Sequence, residues 1–162
     1  FMLLNKERDV GNNVVTAAPS SSSSSGEVLR EGNGIGGSGG SSVIAIVRHI
    51  QQELLSARGG LGVNLVLAGY DYDLKKALLL AMHPHGSVDY VPFTALGSGG
   101  LAAMSVLEAG YRADLGVEDG VELVTAAIRS GIRNDLGSGG QVDLCVIDVE
   151  GGRYERMVLE EE

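Results

Sequence analysis

The order of the periodic segments in this sequence predicts an α+β fold with antiparallel sheets. One helical pattern comes first, short apolar strand patterns follow it, and two helical patterns stand together before the last strands. Because strands do not alternate regularly with helices, this order argues against a parallel βαβ fold. The Gly151-Gly152 pair lies between two strand patterns, residues 142–148 and 153–159, and predicts a hairpin at the end of the chain.

The composition indicates one domain with an aliphatic core. The chain has 162 residues, of which only 4% are aromatic and none is tryptophan, so Leu, Val, Ile and Ala must fill the core. The net charge of −9 argues against nucleic acid or an anionic membrane surface as a partner. A single cysteine, Cys145, cannot form an internal disulfide and favours a reducing, intracellular compartment. The longest apolar run, residues 77–82, is too short to cross a bilayer.

Residues 1–41 are predicted to be a low-complexity segment rich in serine and glycine, an insertion or linker before an ordered domain at residues 42–162. A run of six serines fills positions 20–25, and such a tract buries too little apolar surface to offset its ordering entropy. Residues 1–4 are apolar and are expected at most to end a helix. Gly32, Gly34 and Gly37 match the G-x-G-x-x-G pattern, but serines stand where a nucleotide site needs a strand, which favours the linker.

The ordered part is predicted to begin with a helix over residues 43–54, followed by three strands. Ser41 or Ser42 can serve as the N-cap and Gly59 as the stop, while His49 lies off the apolar stripe and is predicted to face solvent. Residues 62–68 are apolar on both faces and therefore predict a central strand. Residues 77–82 predict a second strand, and residues 91–96 a third, where Pro92 indicates a strand start or a sheet edge.

Two helices and a hairpin are predicted in the second half of the chain. Residues 101–109 predict a helix with Leu101, Met104 and Leu107 facing inward. Residues 117–133 carry an apolar stripe with acidic residues in the first turns, where the helix dipole favours negative charge. The alternating residues 142–148 and the segment 153–159 are the two predicted hairpin strands.

The pentapeptide Leu-Gly-Ser-Gly-Gly occurs twice, at residues 96–100 and 136–140, and supplies the main candidate site residues. A glycine turn lets the backbone approach other groups closely and can project a serine into a site, but it also makes an ordinary turn. Ser98 lies in the first copy, and Ser138 lies in the second, three residues after Asp135. Their residue types alone favour turn serines and a helix-terminal aspartate over a functional site.

Two further motifs permit metal binding. Asp71-Tyr72-Asp73 matches the DxD pattern of metal-dependent sugar transferases, although aspartate is also a common turn residue between strands. His83 and His85 flank Pro84 and would need further ligands, such as Cys145 or a carboxylate, to hold zinc. A turn is the favoured interpretation of both motifs.

Residues from about 42 to 158 resemble proteasome beta subunits, most closely the type associated with trypsin-like activity in the eukaryotic core particle. The resemblance lies in the ordered words LVLAGYD, HPHGSVDYVPFTALGSGGLAAMSVLEAGYRADL and VEDGVELVTAAIRSGIRNDLGSGGQVDLCVID. They contain the family's Pro-His-Gly-Ser turn, its Gly-Ser-Gly helix entry and its Asn-Asp-Leu-Gly-Ser-Gly segment.

The resemblance implies a partial four-layer α-β-β-α sandwich of the N-terminal nucleophile hydrolase type. In that family an N-terminal threonine is the nucleophile and its own amine is the base. The positions that support the threonine match Asp135, Ser138 and Ser98. The family also implies a structural monovalent or magnesium ion held by the backbone carbonyls of Ile132, Asp135 and Ser138, and it implies no required cofactor.

The sequence departs from the family upstream of the matched words. It has no Gly-Thr-Thr processing site, catalytic lysine or oxyanion glycine at the expected places, so the chain is expected to be the C-terminal portion of a subunit. The resemblance implies ATP- and ubiquitin-linked protein degradation by a threonine-type endopeptidase in the cytoplasm and nucleus. The implied partners are other alpha and beta subunits in a stack of rings, with peptides and unfolded proteins as substrates. The alternative is a catalytically inert subunit that only builds the ring.

Overall fold

The computed structural model describes residues 2–5, 14–20 and 42–157, which form three helices and eight strands. The first half contains β1 (Met2–Asn5), β2 (Val14–Ser20), α1 (Val43–Ser56), β3 (Leu65–Asp71), β4 (Lys76–Met82) and β5 (Val88–Tyr90). The second half contains β6 (Phe93–Ala95), α2 (Gly100–Gly110), α3 (Val117–Asn134), β7 (Gln141–Asp148) and β8 (Gly151–Met157).

The strands form two antiparallel sheets, as the sequence predicts. The larger sheet has five strands in the order β6-β1-β2-β7-β8, and the smaller has three in the order β3-β4-β5. The predicted hairpin is confirmed, since β7 and β8 pair from Val142 opposite Met157 to Asp148 opposite Gly151. Residues 91–96 do not form one strand, because the chain passes from the small sheet to the large one between β5 and β6. Pro92 lies at this crossing and directly precedes β6, which is an edge of the larger sheet.

Three apolar clusters define the order of the layers. Helices α2 and α3 pack on the large sheet through a cluster that includes Leu107, Val124 and Leu144. Helix α1 packs on the small sheet through a cluster that includes Leu54, Leu78 and Leu80. The third cluster lies between the sheets, where Ala77 and Leu79 of β4 meet Ile147 of β7. The alternation of β4 thus places one face under α1 and the other against the large sheet, which gives the expected α-β-β-α sandwich.

The N-terminal segment differs from its predicted structure. The residues of β1 and β2 were expected to be a helix end and a linker, but the structure pairs both strands within the large sheet, β1 with β6 and β2 with β7. β1 and β2 also pair with each other, but the strands that place this pair in the sheet, β6 and β7, lie more than 70 residues away in the chain. The rest of the six-serine run, residues 21–25, and the Gly32, Gly34 and Gly37 pattern lie outside the described residues, and the linker stays a prediction there.

Two burial predictions are also wrong. Residues 62–68 were expected to be a central strand, but β3 pairs with β4 alone among the described strands and is only partly buried, while β4 is the covered central strand. Leu101 was expected to face the core and is 89% exposed, because α2 packs through Ala103 and Leu107. Leu101 lies roughly 200° around the helix from Ala103. Met104 and Leu107 do pack inward, and His49 is exposed as predicted. Among the described residues, none of the three helices has the length and hydropathy to span a membrane.

Candidate functional site

The first glycine turn presents Ser98 at the entry to α2. Gly97 has a φ of +113°, a conformation that side chains strongly disfavour, and its carbonyl accepts a hydrogen bond from the Gly100 N–H at 3.0 Å. Ser98 lies inside this tight turn and is exposed, while Gly99 is the N-cap of α2. The local sequence therefore dictates a turn that lifts one hydroxyl above the end of β6.

The second turn begins where α3 ends. Asp135 leaves the helix in an extended conformation, and its carbonyl accepts the N–H of Ser138 at 3.1 Å, which closes a reverse turn over residues 135–138. One turn back, the Asn134 side chain donates to the carbonyl of Ser130 at 2.8 Å, within the last turns of the helix. The side chains of Asp135 and Ser138 consequently face each other across the turn.

The two turns meet at one carboxylate oxygen. Oδ2 of Asp135 accepts hydrogen bonds from Oγ of Ser98 and from Oγ of Ser138, both at 2.5 Å. The hydrogen bond from Ser138, then that from Ser98, and then one from the Gly137 N–H lower the pKa of Asp135 below its ordinary value, against a smaller opposing effect of desolvation. Asp135 is therefore charged at neutral pH. The structure thus brings together all three of the site residues that the sequence suggested.

The pairing of the strands places this cluster at one end of the large sheet. β6 ends at Ala95, three residues before Ser98, and β1 begins with Met2, the partner of Ala95. β2 ends with Ser20 opposite Gln141, three residues after Ser138. The carboxylate and the two hydroxyls consequently lie at the end of the sheet where β1 starts.

The cluster has a definite chemical capacity. Each serine donates its proton to Asp135, so the remaining lone pairs of both hydroxyls are available as acceptors. An ionised carboxylate behind two oriented hydroxyl acceptors is suited to hold an N–H donor or a protonated amine. It offers no strong base, because the pKa of Asp135 is lowered.

The Asp71-Tyr72-Asp73 motif forms a structural turn in which Asp71 is buried and the next two residues are exposed. Oδ1 of Asp71 accepts the N–H groups of Asp73 and Leu74 at 3.0 Å each, and Oδ2 accepts the hydroxyl of Ser42 at 3.0 Å and the N–H of Ile44 at 3.4 Å. Ser42 does stand at the N-cap of α1, but its side chain makes no capping bond, and Asp71 caps the helix across the fold instead. With both oxygens of Asp71 engaged and Asp73 exposed, the geometry favours the turn over a metal site.

The two histidines of the Pro-His-Gly turn contact different groups. Nε2 of His83 lies 3.1 Å from Oδ2 of Asp89, whereas the His85 ring lies against Gly59, where a Cβ would meet it at 2.3 Å. Cys145 lies within β7, and burial raises the pKa of its thiol. Within residues 2–5, 14–20 and 42–157, no three His, Cys, Asp or Glu side chains are grouped to hold a metal ion.

The carbonyl cation site stays a prediction. Ile132 lies in the last turn of α3, where helix carbonyls lack intrahelical partners, and the Asp135 carbonyl keeps a second lone pair beyond its bond to Ser138. Carbonyl oxygens are ligands of the type that a hard cation prefers.

Two contributions were missed by sequence reasoning, namely the cap that Asp71 provides and the close contact of Gly99 with Gly131. The glycine at position 131, in the last turn of the predicted helix over residues 117–133, was the available signal for the second.

Comparison with known proteins agrees with the resemblance seen in the sequence. The family model described as "Proteasome subunit" matches residues 33–147, which is more than half of the chain. The chain belongs to the proteasome subunit family. Its similar relatives include Proteasome subunit beta type-7-A of Arabidopsis thaliana, 44% identical over 120 residues, which are 74% of this chain and 43% of that protein.

Relatives from fungi and mammals agree. Probable proteasome subunit beta type-2 of Schizosaccharomyces pombe is 48% identical over 108 residues, 67% of this chain and 40% of the relative. Proteasome subunit beta type-10 of Mus musculus is 43% identical over 114 residues, 70% of this chain and 41% of the relative. The match to these relatives thus spans about two fifths of their length.

Proposed function

We propose that the complete protein is a threonine-type endopeptidase subunit of the proteasome core particle, with Asp135, Ser138 and Ser98 as the groups that support its nucleophile. The observation that carries this proposal is the double hydrogen bond to Asp135 Oδ2 at the end of the sheet where β1 starts. Membership of the proteasome subunit family supports it, since the reaction of that family uses an N-terminal threonine and its own amine.

The cluster suits the proton transfers of that reaction. The threonine Oγ bonds to the scissile carbonyl carbon while its proton moves to the α-amine, and the proton passes to the leaving amine as the C–N bond breaks. Water then hydrolyses the remaining ester. The protonated amine formed in between is the species that the serine lone pairs and the Asp135 charge would stabilise. The threonine is not among the residues that match the family's words and would have to be supplied by the complete subunit.

The finer parts of the proposal rest on the resemblance. These are a preference for cleavage after basic residues, assembly with other alpha and beta subunits into rings, and a role in ATP- and ubiquitin-linked degradation in the cytoplasm and nucleus. A structural monovalent or magnesium ion on the carbonyls of Ile132, Asp135 and Ser138 belongs to the same proposal. Each of these follows only if the complete subunit joins a core particle.

The coding sequence upstream of Phe1 gives the first test. An in-frame Gly-Thr followed by a strand that carries a lysine supports the peptidase. A start codon directly before Phe1 would leave the subunit without its nucleophile and favour the inert ring-building alternative.

The second test is a substitution in the complete subunit assembled into core particles. Asp135→Asn removes the charge and should lower kcat on a fluorogenic peptide ending in arginine by about 10²-fold, the order expected for loss of one preorganised stabilising group. Asp73→Asn, an exposed carboxylate in a turn away from the cluster, is the matched control and should leave kcat unchanged. Native gels establish equal assembly. Full activity in assembled Asp135→Asn particles would contradict the proposed role.

A further inference from the structure

The start of α2 and the last turn of α3 contact each other backbone to backbone at two glycines, Gly99 and Gly131. A Cβ added at Gly99 would lie 3.0 Å from the carbonyl oxygen of Gly131, 3.1 Å from its Cα and 3.2 Å from its carbonyl carbon. A Cβ added at Gly131 would lie 3.3 Å from the carbonyl oxygen of Gly99 and 3.9 Å from Cβ of Ala103. The crowding atoms at Gly99 are all backbone, so no rotamer change can relieve them.

Each of these glycines lies close in the chain to a residue of the candidate site. Gly99 directly follows Ser98, and its carbonyl accepts the N–H of Ala103, the first hydrogen bond of α2. Gly131 lies four residues, about one helical turn, before Asp135. The contact therefore sets how far the turn that carries Ser98 stands from the end of α3.

The two hydrogen bonds to Asp135 depend on this contact to different degrees. Ser138 and Asp135 are three residues apart within one reverse turn, so their hydrogen bond is local. Ser98 and Asp135 are 37 residues apart and belong to different helix termini, so their hydrogen bond needs the helices to be at the correct separation. A second link between the helices, from Oγ of Ser130 to the carbonyl of Ala102, is longer at 3.3 Å.

We propose that Gly99 and Gly131 are positioning residues, whose lack of side chains lets α2 and α3 approach closely enough for Ser98 to donate to Asp135. A Cβ at Gly99 would force the backbones apart by a few tenths of an ångström. The hydrogen bond from Ser98, at 2.5 Å, would then lengthen toward the ordinary O–H···O distance of about 2.7–2.8 Å and weaken, because its two partners move with the two helices. The hydrogen bond from Ser138 would remain. The catalytic meaning of the contact rests on the proposed function, whereas its geometric effect does not.

Titration of Asp135 tests the proposal without any peptide cleavage. The carboxyl carbon chemical shift of Asp135 is followed against pH by NMR in the full chain and in its Gly99→Ala, Gly131→Ala and Ser98→Ala variants. Gly100→Ala is the matched control, because its Cβ would meet only the Ala95 carbonyl oxygen at an ordinary 3.7 Å and the carbon bonded to it. We expect Gly99→Ala to raise the pKa of Asp135 part of the way toward the value found in Ser98→Ala, Gly131→Ala to raise it by a smaller amount, and Gly100→Ala to leave it unchanged.

A double variant separates positioning from general destabilisation. If Gly99 acts through Ser98, adding Gly99→Ala to Ser98→Ala should shift the pKa of Asp135 no further. A folded Gly99→Ala chain in which Asp135 titrates as in the parent would overturn the proposal, as would a Gly100→Ala shift of equal size. If Gly99→Ala does not fold, the same titration of the less crowded Gly131→Ala decides between the two outcomes. Loss of the proposed peptidase function would leave this result standing, and failure here would leave the peptidase test untouched.

Discussion

The strongest stability prediction concerns Asp71, whose carboxylate joins α1 to the turn after β3. Its two oxygens accept four donors, three of them at 3.0 Å and the fourth, the N–H of Ile44, at 3.4 Å. A hydrogen bond to a charged group contributes about 1.5–3 kcal/mol when both partners are buried. The donors Asp73 and Leu74 are exposed in the turn, so water can rehydrate their N–H groups after truncation. Counting about 1 kcal/mol for each of the three short bonds, we expect Asp71→Ala to cost about 3 kcal/mol.

Two companion variants sharpen this prediction. Asp71→Asn keeps one acceptor oxygen but turns an NH₂ group toward the other pair of donors, so we expect a loss of about 2 kcal/mol. Asp73→Ala, two residues away and exposed, should change the free energy of unfolding by less than about 0.5 kcal/mol. Urea unfolding of the full chain, followed by circular dichroism, measures all three. Equal midpoints for Asp71→Ala and Asp73→Ala would refute the reasoning, and a divalent-ion site lost in Asp71→Ala would revive the metal interpretation.

The same carboxylate gives a pH dependence with a definite sign. The N–H of Leu74 is the largest of the effects that lower the pKa of Asp71, and bonds from Ser42, Ile44 and Asp73 add to it against an opposing desolvation. Because the folded pKa lies below the unfolded one, this stabilisation is fully present above the unfolded pKa and is lost as pH falls through the folded pKa. The free energy of unfolding of the parent chain should therefore fall more on acidification than that of Asp71→Asn. Urea unfolding repeated over a range of pH measures both, and parallel plots of this free energy against pH would contradict the prediction.

Two further predictions concern the turn after β4 and the final hairpin. Gly86→Ala should lower the free energy of unfolding by about 2–4 kcal/mol, because Gly86 has a φ of +86° and a Cβ would meet the Leu55 side chain at 2.7 Å. Gly62→Ala, with a φ of +60° in open space, should lower it by only about 1 kcal/mol in the same urea assay. Equal losses would show that the packing argument is wrong. Arg156→Ala should raise the pKa of Asp143, because the bidentate hydrogen bond from Arg156 lowers it. The urea midpoint should stay nearly unchanged, because the arginine side chain is 55% exposed. An unchanged Asp143 titration by NMR would contradict the pairing.

The elements that sequence reasoning placed well are those specified by local pattern. The stripe of α3 and the alternation of β7 recur every few residues, so their periods can be read without knowing the partner. The apolar run of β3 could not be ranked against that of β4, because which strand is central depends on what pairs with each. β1 and β2 were missed for the same reason, since the strands that flank this pair in the sheet, β6 and β7, are distant in the chain.

The candidate site divides along the same line. Asp135 and Ser138 belong to one turn and could be paired from their spacing, whereas the link to Ser98 followed only from the resemblance to a known family. The close contact of Gly99 with Gly131, on which we propose that link to depend, was visible only in three dimensions.

The charge state of Asp135 restricts what this cluster can do by itself. A serine becomes a nucleophile when a neighbouring base takes its proton, and a carboxylate with a lowered pKa is a poor base for a hydroxyl. Ser98 and Ser138 both donate to the same oxygen of Asp135, which accepts their hydrogen bonds without removing their protons. The hydroxyls are therefore held in orientation without being activated. Such an arrangement is suited to stabilise a positive charge brought to it, and the function proposed above uses it to stabilise a protonated amine.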